Sequence, residues 1–243
     1  MGVDEIKPYK NSSLDKKLQV QQMFNNIAGN YDFLNHFLSF GIDRQWRKKT
    51  IACLKEKKPQ LILDIATGTA DLAIEAIKLS PLKIFGIDIS EDMLEIGRNK
   101  IRKKNLQDTI ELMEGDSELL IFDDNKFDAV TVAFGVRNFQ NLKKGLMEMN
   151  RVLKLGGMVV ILEFSQPTNR LFSKLYNFYS STITPGLGKA LSKDKNAYSY
   201  LNESVKAFPS GNQFCKILEE SGFKNIQFKP LTFGVATIYH AEK

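Results

Sequence analysis

Leu61-Ile62-Leu63-Asp64-Ile65-Ala66-Thr67-Gly68-Thr69-Ala70-Asp71 is the stretch whose reading decides the fold. Its first six residues form a short apolar run that ends in small residues, the mark of a strand buried on both faces in a parallel sheet. Gly68 and its small neighbours let the backbone turn sharply and approach a ligand. Asp71 to Leu79 then continues at helical spacing. The same alternation repeats downstream. Leu82 to Asp88 reads as a second strand, and Ser90 with Glu91 and Asp92 as the capped start of a helix running to Lys104. Arg98, Lys100, Arg102, Lys103 and Lys104 suit the negative end of that helix dipole. Ile110–Asp116 and Phe127–Phe134 follow as strands, Asn141–Lys154 as a helix stopped by Gly156-Gly157, and Met158–Phe164 as a fifth strand. Residues 210–222 read as a helix ended by Gly222. Ile226–Leu231 and Val235–His240, joined by Thr232-Phe233-Gly234, read as an antiparallel pair.

Strands alternating with helices imply an α/β fold, a Rossmann-like doubly wound sheet of seven strands with an antiparallel last strand. Residues 61–243 are expected to form this domain, with residues 1–60 as an N-terminal helical lid and 164–208 as an aromatic helical insert, all in one compact unit. No internal repeat or low-complexity segment interrupts the pattern.

The composition narrows the function. The chain has 243 residues, 43% hydrophobic and 26% charged, enough for a full core and too apolar for disorder. Cys53 and Cys215 are its two cysteines and His36 and His240 its two histidines, so neither a disulfide scaffold nor a zinc site is expected, and we expect no metal. The longest purely apolar run in the fifth strand, Met158 to Leu162, is far shorter than the roughly 20 residues of a spanning helix. The first ten residues carry two acids and no apolar core, unlike a secretory leader, so a reducing cytoplasmic setting is the default. The net charge of +6 is uneven: residues 1–60 hold 11 basic against 6 acidic residues, and the remainder 23 against 22. Of 25 aromatic residues, 7 lie in 1–60 and 8 in 164–208. Two aromatic segments therefore flank a nearly neutral sheet region.

The loop after the first strand lacks the Gly-Lys-Ser/Thr of a nucleotide triphosphate loop, and with Gly68 alone it is a poor dinucleotide fingerprint. Asp88 stands 20 residues beyond Gly68 at the end of the second strand, where an acid accepts hydrogen bonds from ribose hydroxyls; the plain alternative is a strand-end cap. Gly115-Asp116-Ser117 ends the third strand and offers a carboxylate and a hydroxyl to an adenine amino group, although both types are common in turns. Acids Asp64 and Asp71 flank the loop, which disfavours a pyrophosphate and suits a ligand with a cationic centre and an amino acid tail. S-adenosylmethionine has both.

Further segments occur in a fixed order: Tyr31-Asp32-Phe33-Leu34-Asn35, Leu63 to Asp71, Phe134-Gly135-Val136-Arg137-Asn138, Arg151-Val152-Leu153-Lys154-Leu155-Gly156-Gly157, Leu162 to Pro167, and Tyr198 to Ser204. Together they resemble the menaquinone/ubiquinone biosynthesis C-methyltransferases, class I S-adenosylmethionine-dependent enzymes, across about residues 20 to 240. The resemblance implies methyl transfer to a ring carbon of a polyprenylated quinol, with demethylmenaquinol the first expectation. It places the cofactor on Thr69, Asp88, Asp116 and Ser117, with Asp64 and Gly68 shaping the loop beside it. Ala70 replaces a glycine found in many relatives and is expected to narrow the methionine end. Ala133 stands where some have serine, and offers no side-chain hydrogen bond.

A quinol carbon becomes nucleophilic when its neighbouring hydroxyl loses a proton, and the ring proton must leave after transfer. Arg137 is the first catalytic candidate, since a guanidinium stays charged and can stabilise a phenolate or orient a water. Tyr31 and Asp32 are the second, as hydroxyl partner and base; an N-terminal packing helix is the alternative reading. His36 has a suitable pKa but equally fits core or solvent, and His240 on the last strand reads as structural. Val20, Met23, Phe24, Ile27, Tyr31, Leu34 and Leu38 recur at three- or four-residue steps, with Gly29 expected to interrupt their helix. Leu171, Phe172, Leu175, Tyr176 and Tyr179 form a second stripe that Pro185 and Gly186 would end. The two are read as a shared lid over an apolar acceptor cavity. Arg44, Arg47, Lys48, Lys49, Lys55, Lys57 and Lys58 suggest either a solvated face or peripheral association with the inner face of an anionic membrane, where a prenylated quinol resides. No nucleic-acid motif is present, so nucleic acid is not an expected partner. A homo-oligomer stays open. The competing readings are a methyltransferase for another lipid-like or aromatic acceptor, such as a ubiquinone precursor, tocopherol precursor or sterol, and a non-catalytic basic binding module.

Overall fold

The computed structural model describes residues 2–167 and 195–243, apart from the side chains of a few helical residues. The stripe from Leu171 to Tyr179, with Pro185 and Gly186, lies outside the described residues. Seven strands, β1 (Leu61–Ile65), β2 (Lys83–Asp88), β3 (Ile110–Glu114), β4 (Phe127–Ala133), β5 (Leu153–Phe164), β6 (Lys224–Leu231) and β7 (Ala236–Glu242), form one sheet in the order β3-β2-β1-β4-β5-β7-β6. The first five pair in parallel, and β7 runs antiparallel to both β5 and β6. The expected seven-stranded sheet with its antiparallel last strand is therefore present. Strand order reverses between β1 and β4, the switch point where an open α/β sheet receives ligands.

The described helices are α1 (Lys16–Leu38), α2 (Ile42–Ala52), α3 (Asp71–Ala76), α4 (Glu91–Lys103), α5 (Leu142–Val152), α6 (Lys195–Ala207) and α7 (Asn212–Glu220). Alternation along β5 explains the layers. Val159 and Ile161 join a core with Leu146, Met149, Phe214 and Leu218 of α5 and α7. Met158, Val160 and Leu162 point to the other face, with Trp46, Ile51, Leu72, Ala73 and Ile101 of α2, α3 and α4. Ser90 caps α4 by accepting from Met93 N, and Asn141 caps α5 by accepting from Lys144 N. None of the described helices is long and apolar enough to cross a membrane.

Three expectations change. Gly29 does not interrupt its helix: α1 runs through it for 23 residues, because Ile27 and Ala28 beside it are buried and hold the turn in place. Helix α5 ends at Val152, and β5 starts at once with Leu153 pairing Phe127. Gly156-Gly157 therefore lies inside the strand, where Gly156 takes φ +75° in a bulge, instead of stopping the helix. Residues 1–60 also divide. Helix α2 is a layer helix of the main core, whereas α1 builds a separate cluster of Val20, Met23, Phe24, Ile27 and Ala28 on Met93, Ala197 and Tyr200.

Candidate active site

Asp64, the penultimate residue of β1, is buried and anchors the loop that follows. Its carboxylate accepts from Thr67 Oγ1 at 2.6 Å and Thr131 Oγ1 at 2.7 Å. Burial pushes its pKa up to about 6 against the pull of these two hydroxyls. The loop then passes through left-handed conformations at Ala66, Gly68 and Ala70, with φ of +51°, +56° and +65°. The Ala70 methyl faces α4, where a Cβ built on Gly97 would stand 3.3 Å from it. Ala70 is not among the residues that line the cavity at the strand ends.

Asp88 closes β2 beside that loop. Its Oδ2 accepts from Gly68 N at 2.8 Å and its Oδ1 from Ser90 N at 2.9 Å. Desolvation outweighs these bonds and raises its pKa to about 6. Asp116 lies past β3, its Oδ1 accepting from Glu118 N at 2.9 Å and its Oδ2 from Lys17 Nζ at 2.6 Å. Glu118 is buried and accepts from the backbone of Gln140 and Asn141, which fixes the loop after β4.

These strand ends surround a cavity that opens to solvent. Gly68, Asp88, Asp116, Ser117 and Tyr31 line it, with Ala133, Gly135 and Asn138 below and Val20 and Phe24 of α1 as its outer wall. Tyr31 meets Phe24 edge-on at 5.9 Å, and burial raises its pKa against a hydrogen bond from Asn35 and the charges of Arg137 and Arg47. The hydroxyl therefore stays protonated at neutral pH. Gly135 is required here by close approach: an added Cβ would lie 2.5 Å from the Ala66 Cβ.

Arg137 does not line this cavity. It sits directly behind, in the turn Val136–Asn138 between the lining residues Gly135 and Asn138. Its Nη1 donates to Glu163 Oε1 at 2.5 Å and to Phe134 O at 2.6 Å, and both charged side chains are buried. Its Nε finds no acceptor among the described residues. The guanidinium also lies over the Phe164 ring at 5.3 Å, and Phe164 stacks on Phe134 at 4.3 Å. Lys16 Nζ donates to the Arg137 carbonyl at 3.2 Å, which ties the start of α1 to the same turn.

Asp32 and Thr69 are brought together but away from the cavity lining. Thr69 Oγ1 donates to Asp32 Oδ1 at 2.5 Å, and Lys100 Nζ donates to Thr69 Oγ1 at 2.9 Å and Asp71 Oδ1 at 2.7 Å while pairing with Asp32 Oδ2 at 2.6 Å. His36 borders this cluster, bonded through Nδ1 to Asp43 Oδ2 at 2.8 Å with its Nε2 3.8 Å from Asp71 Oδ2. His240 lies on β7, across from Val160 and Gln227, at the far side of the sheet's centre. The structure adds two residues that sequence reasoning passed over: Lys17, and Glu163, the buried partner of Arg137. Glu163 stood inside a quoted segment, and its acid in an apolar strand was the available signal.

The donor set suits S-adenosylmethionine. Asp88, Asp116 and Ser117 present two carboxylates and a hydroxyl to the cavity at the ends of β2 and β3. The loop approach is so close that a Cβ at Gly135 would fill it. Comparisons with known proteins agree. Residues 11–243 match the profile of the ubiE/COQ5 methyltransferase family. The chain is 51% identical to a demethylmenaquinone methyltransferase of Bacteroides fragilis, over 99% of this chain and 98% of that protein. It is 45% identical to the one of Porphyromonas gingivalis, over 97% of each. With the ubiquinone/menaquinone biosynthesis C-methyltransferase UbiE of Geobacter sulfurreducens it shares 42%, over 94% of this chain and 90% of that one. Among solved structures, a SAM-dependent methyltransferase of Thermotoga maritima shares the fold with a TM-score of 0.64 at 18% identity, covering 91% of this chain and 99% of that one. A phosphoethanolamine N-methyltransferase of Haemonchus contortus, solved with S-adenosyl-L-methionine, follows at 0.59 and 18%, covering 87% of this chain and 59% of that one.

Proposed function

The chain belongs to the ubiE/COQ5 methyltransferase family, and from that premise we propose that it transfers the methyl group of S-adenosylmethionine to a ring carbon of a prenylated quinol, with demethylmenaquinol as the acceptor. The observation that carries this reading is the near-full-length match to demethylmenaquinone methyltransferases. Asp88 would hold the ribose, Asp116 and Ser117 the adenine, and the loop from Ala66 to Ala70 the methionine end. Thr69 supports that loop from behind, since its hydroxyl is already engaged by Asp32 and Lys100. When bound, the cofactor supplies an electrophilic methyl on a sulfonium.

The protein must then stabilise a phenolate and take up a ring proton. Arg137 is the candidate for the first task, although it would act from behind the cavity wall. Glu163 and the Phe134 carbonyl fix its Nη1, and its charge would favour a phenolate through the turn that carries Gly135 and Asn138. Tyr31, protonated and on the cavity wall, offers a hydroxyl donor to the ring oxygen. Asp32 is a weaker base candidate, because Thr69 and Lys100 occupy both its oxygens. Replacing Arg137 by Ala should lower kcat by about 10²-fold or more while S-adenosylhomocysteine binds as before. A wild-type rate would remove Arg137 from the chemistry.

The acceptor is tested by assaying reduced demethylmenaquinol beside a ubiquinone-precursor benzoquinol. The relatives named for both pathways make the second acceptor a specific alternative. Turnover of the benzoquinol alone would overturn the assignment to menaquinone. Since both acceptors carry prenyl tails, we further propose peripheral docking of a cytoplasmic protein on an anionic membrane. Exposed Arg44, Lys48, Lys49, Lys55 and Lys58 and the 79%-exposed Phe40 support this reading. Arg47 drops out of that basic face because it is buried against Asp43, and Lys57 pairs with Glu242 at 2.7 Å.

A further inference from the structure

Helix α1 touches the cofactor strands with a regular polar stripe. Lys17, Gln21 and Asn25 fall four residues apart, so they share one face of the helix. They bond to two strand ends, Lys17 to that of β3 and Gln21 and Asn25 to that of β2. Lys17 Nζ reaches Asp116 Oδ2 at 2.6 Å and Glu118 Oε2 at 3.5 Å. Gln21 Nε2 donates to the Ile89 carbonyl at 2.6 Å. Asn25 Oδ1 accepts from Ser90 Oγ at 2.6 Å, and Ser90 N in turn donates to Asp88. The apolar face of the same helix supplies Val20, Phe24 and Tyr31 to the cavity wall.

We propose that α1 is part of the cofactor site, and that Lys17 is a positioning residue which orients the Asp116 carboxylate for the exocyclic amino group of adenine. The proposal rests on the reading of Asp116 given above. A carboxylate has about four lone-pair directions. Glu118 N takes one on Oδ1 and Lys17 one on Oδ2, which fixes the plane of the group and leaves directions free on the cavity side. Without the ammonium, Asp116 would lie beside the buried Glu118 with no cation between them, and like charges so placed favour rotation or protonation. Burial alone would lower the Lys17 pKa, but its bond to Asp116 and the charge of Glu118 outweigh that and raise it, so the cation persists at neutral pH.

The experiment compares dissociation constants, by calorimetry, of S-adenosylhomocysteine and its C6-oxo analogue S-inosylhomocysteine for the wild type, Lys17→Met, Lys17→Arg and Asp116→Ala. The wild type should prefer the adenine ligand. In Lys17→Met that preference should shrink about ten-fold, the lost value of one charge-assisted contact. Lys17→Arg should restore most of it. The KM for S-adenosylmethionine should rise with kcat within about two-fold. Because the readout is a ratio of two ligands on one protein, partial loss of folded material does not alter it. An unchanged preference in Lys17→Met, with a collapsed one in Asp116→Ala, overturns the role of Lys17 and keeps that of Asp116. An unchanged preference in Asp116→Ala overturns the adenine reading itself.

Discussion

Glu163 and Arg137 show how one residue pair sets local stability and chemistry together. Burial raises the pKa of Glu163, and the adjacent guanidinium with two backbone N–H groups pulls the other way without cancelling the rise. Removing one member strands the other without water. Glu163→Ala should cost about 3–5 kcal/mol in urea denaturation, far above a typical surface change. Asp64 and Asp88 act differently. Each titrates near pH 6 when folded and near its ordinary 3.8 when unfolded. Between those values the folded chain binds protons that the unfolded chain has released. These two groups therefore make the cofactor-free protein more stable as pH falls from 7 toward 4, each by up to about 3 kcal/mol. Cofactor affinity should run the opposite way, since a protonated Asp88 loses acceptor strength. Calorimetry at pH 7.5 and 5.5 should show weaker S-adenosylhomocysteine binding at the lower value, and equal affinities would reject Asp88 as the ribose acceptor. At this scale the placement of Asp88 and Asp116 at strand ends was legible, because the runs that lead to them are short, apolar and bounded by turn residues. The bonds of Lys17 and Thr69 were not, since their partners lie 99 and 37 residues away in the chain.

Among the elements, α1 departs furthest from its sequence reading. Gly29 suggested a break, since glycine in a helix costs about 1 kcal/mol relative to alanine. Propensity lost to tertiary contacts: the turn before Gly29 packs into the Met93–Tyr200 cluster, and the turn after it carries Asp32 to Lys100. A Cβ at Gly29 would meet nothing within 4 Å. Gly29→Ala should therefore raise stability by about 0.5–1 kcal/mol, seen as a higher melting temperature. A lower melting temperature would mean that the helix is strained at that point. The opposite outcome is expected at Gly135, where a Cβ would stand 2.5 Å from Ala66 and 3.0 Å from Val132 Cγ1. Gly135→Ala should destabilise by about 1–3 kcal/mol and weaken cofactor binding, because the β1 and β4 loops must separate. Helix α2 was not separable from a lid by its sequence. Its basic exposed side suggested a surface segment, while Trp46, Arg47 and Ile51 on its other side seal the main core.

Across the whole molecule, the uneven charge now has a location. The exposed cations of residues 44–58 lie on and after α2, and the cofactor acids lie under α1. Docking on anionic vesicles should weaken steeply between low and about 0.5 M salt, where screening shortens the reach of charge to a few ångströms. Co-sedimentation that ignores salt would assign any binding to apolar contacts instead. The sheet itself was legible strand by strand, since each run is bounded by turn residues. Its order was only partly so. Nothing in the local pattern says that the last strand passes between β5 and β6.

That placement of β7 has a consequence for how the chain is made. The strand pairs with β5 and β6 along its length, and its Tyr239 and Ala241 complete the core beneath them. During synthesis, β5 emerges long before its neighbour exists, and its edge stays unpaired until the ribosome has passed Glu242. The cofactor half of the sheet can assemble early, while its other half waits for the final strand. A nascent chain stalled before Ala236 should be sensitive to proteases from Met158 onward and one that includes the paired β7 protected, which pulsed proteolysis of arrested chains would reveal.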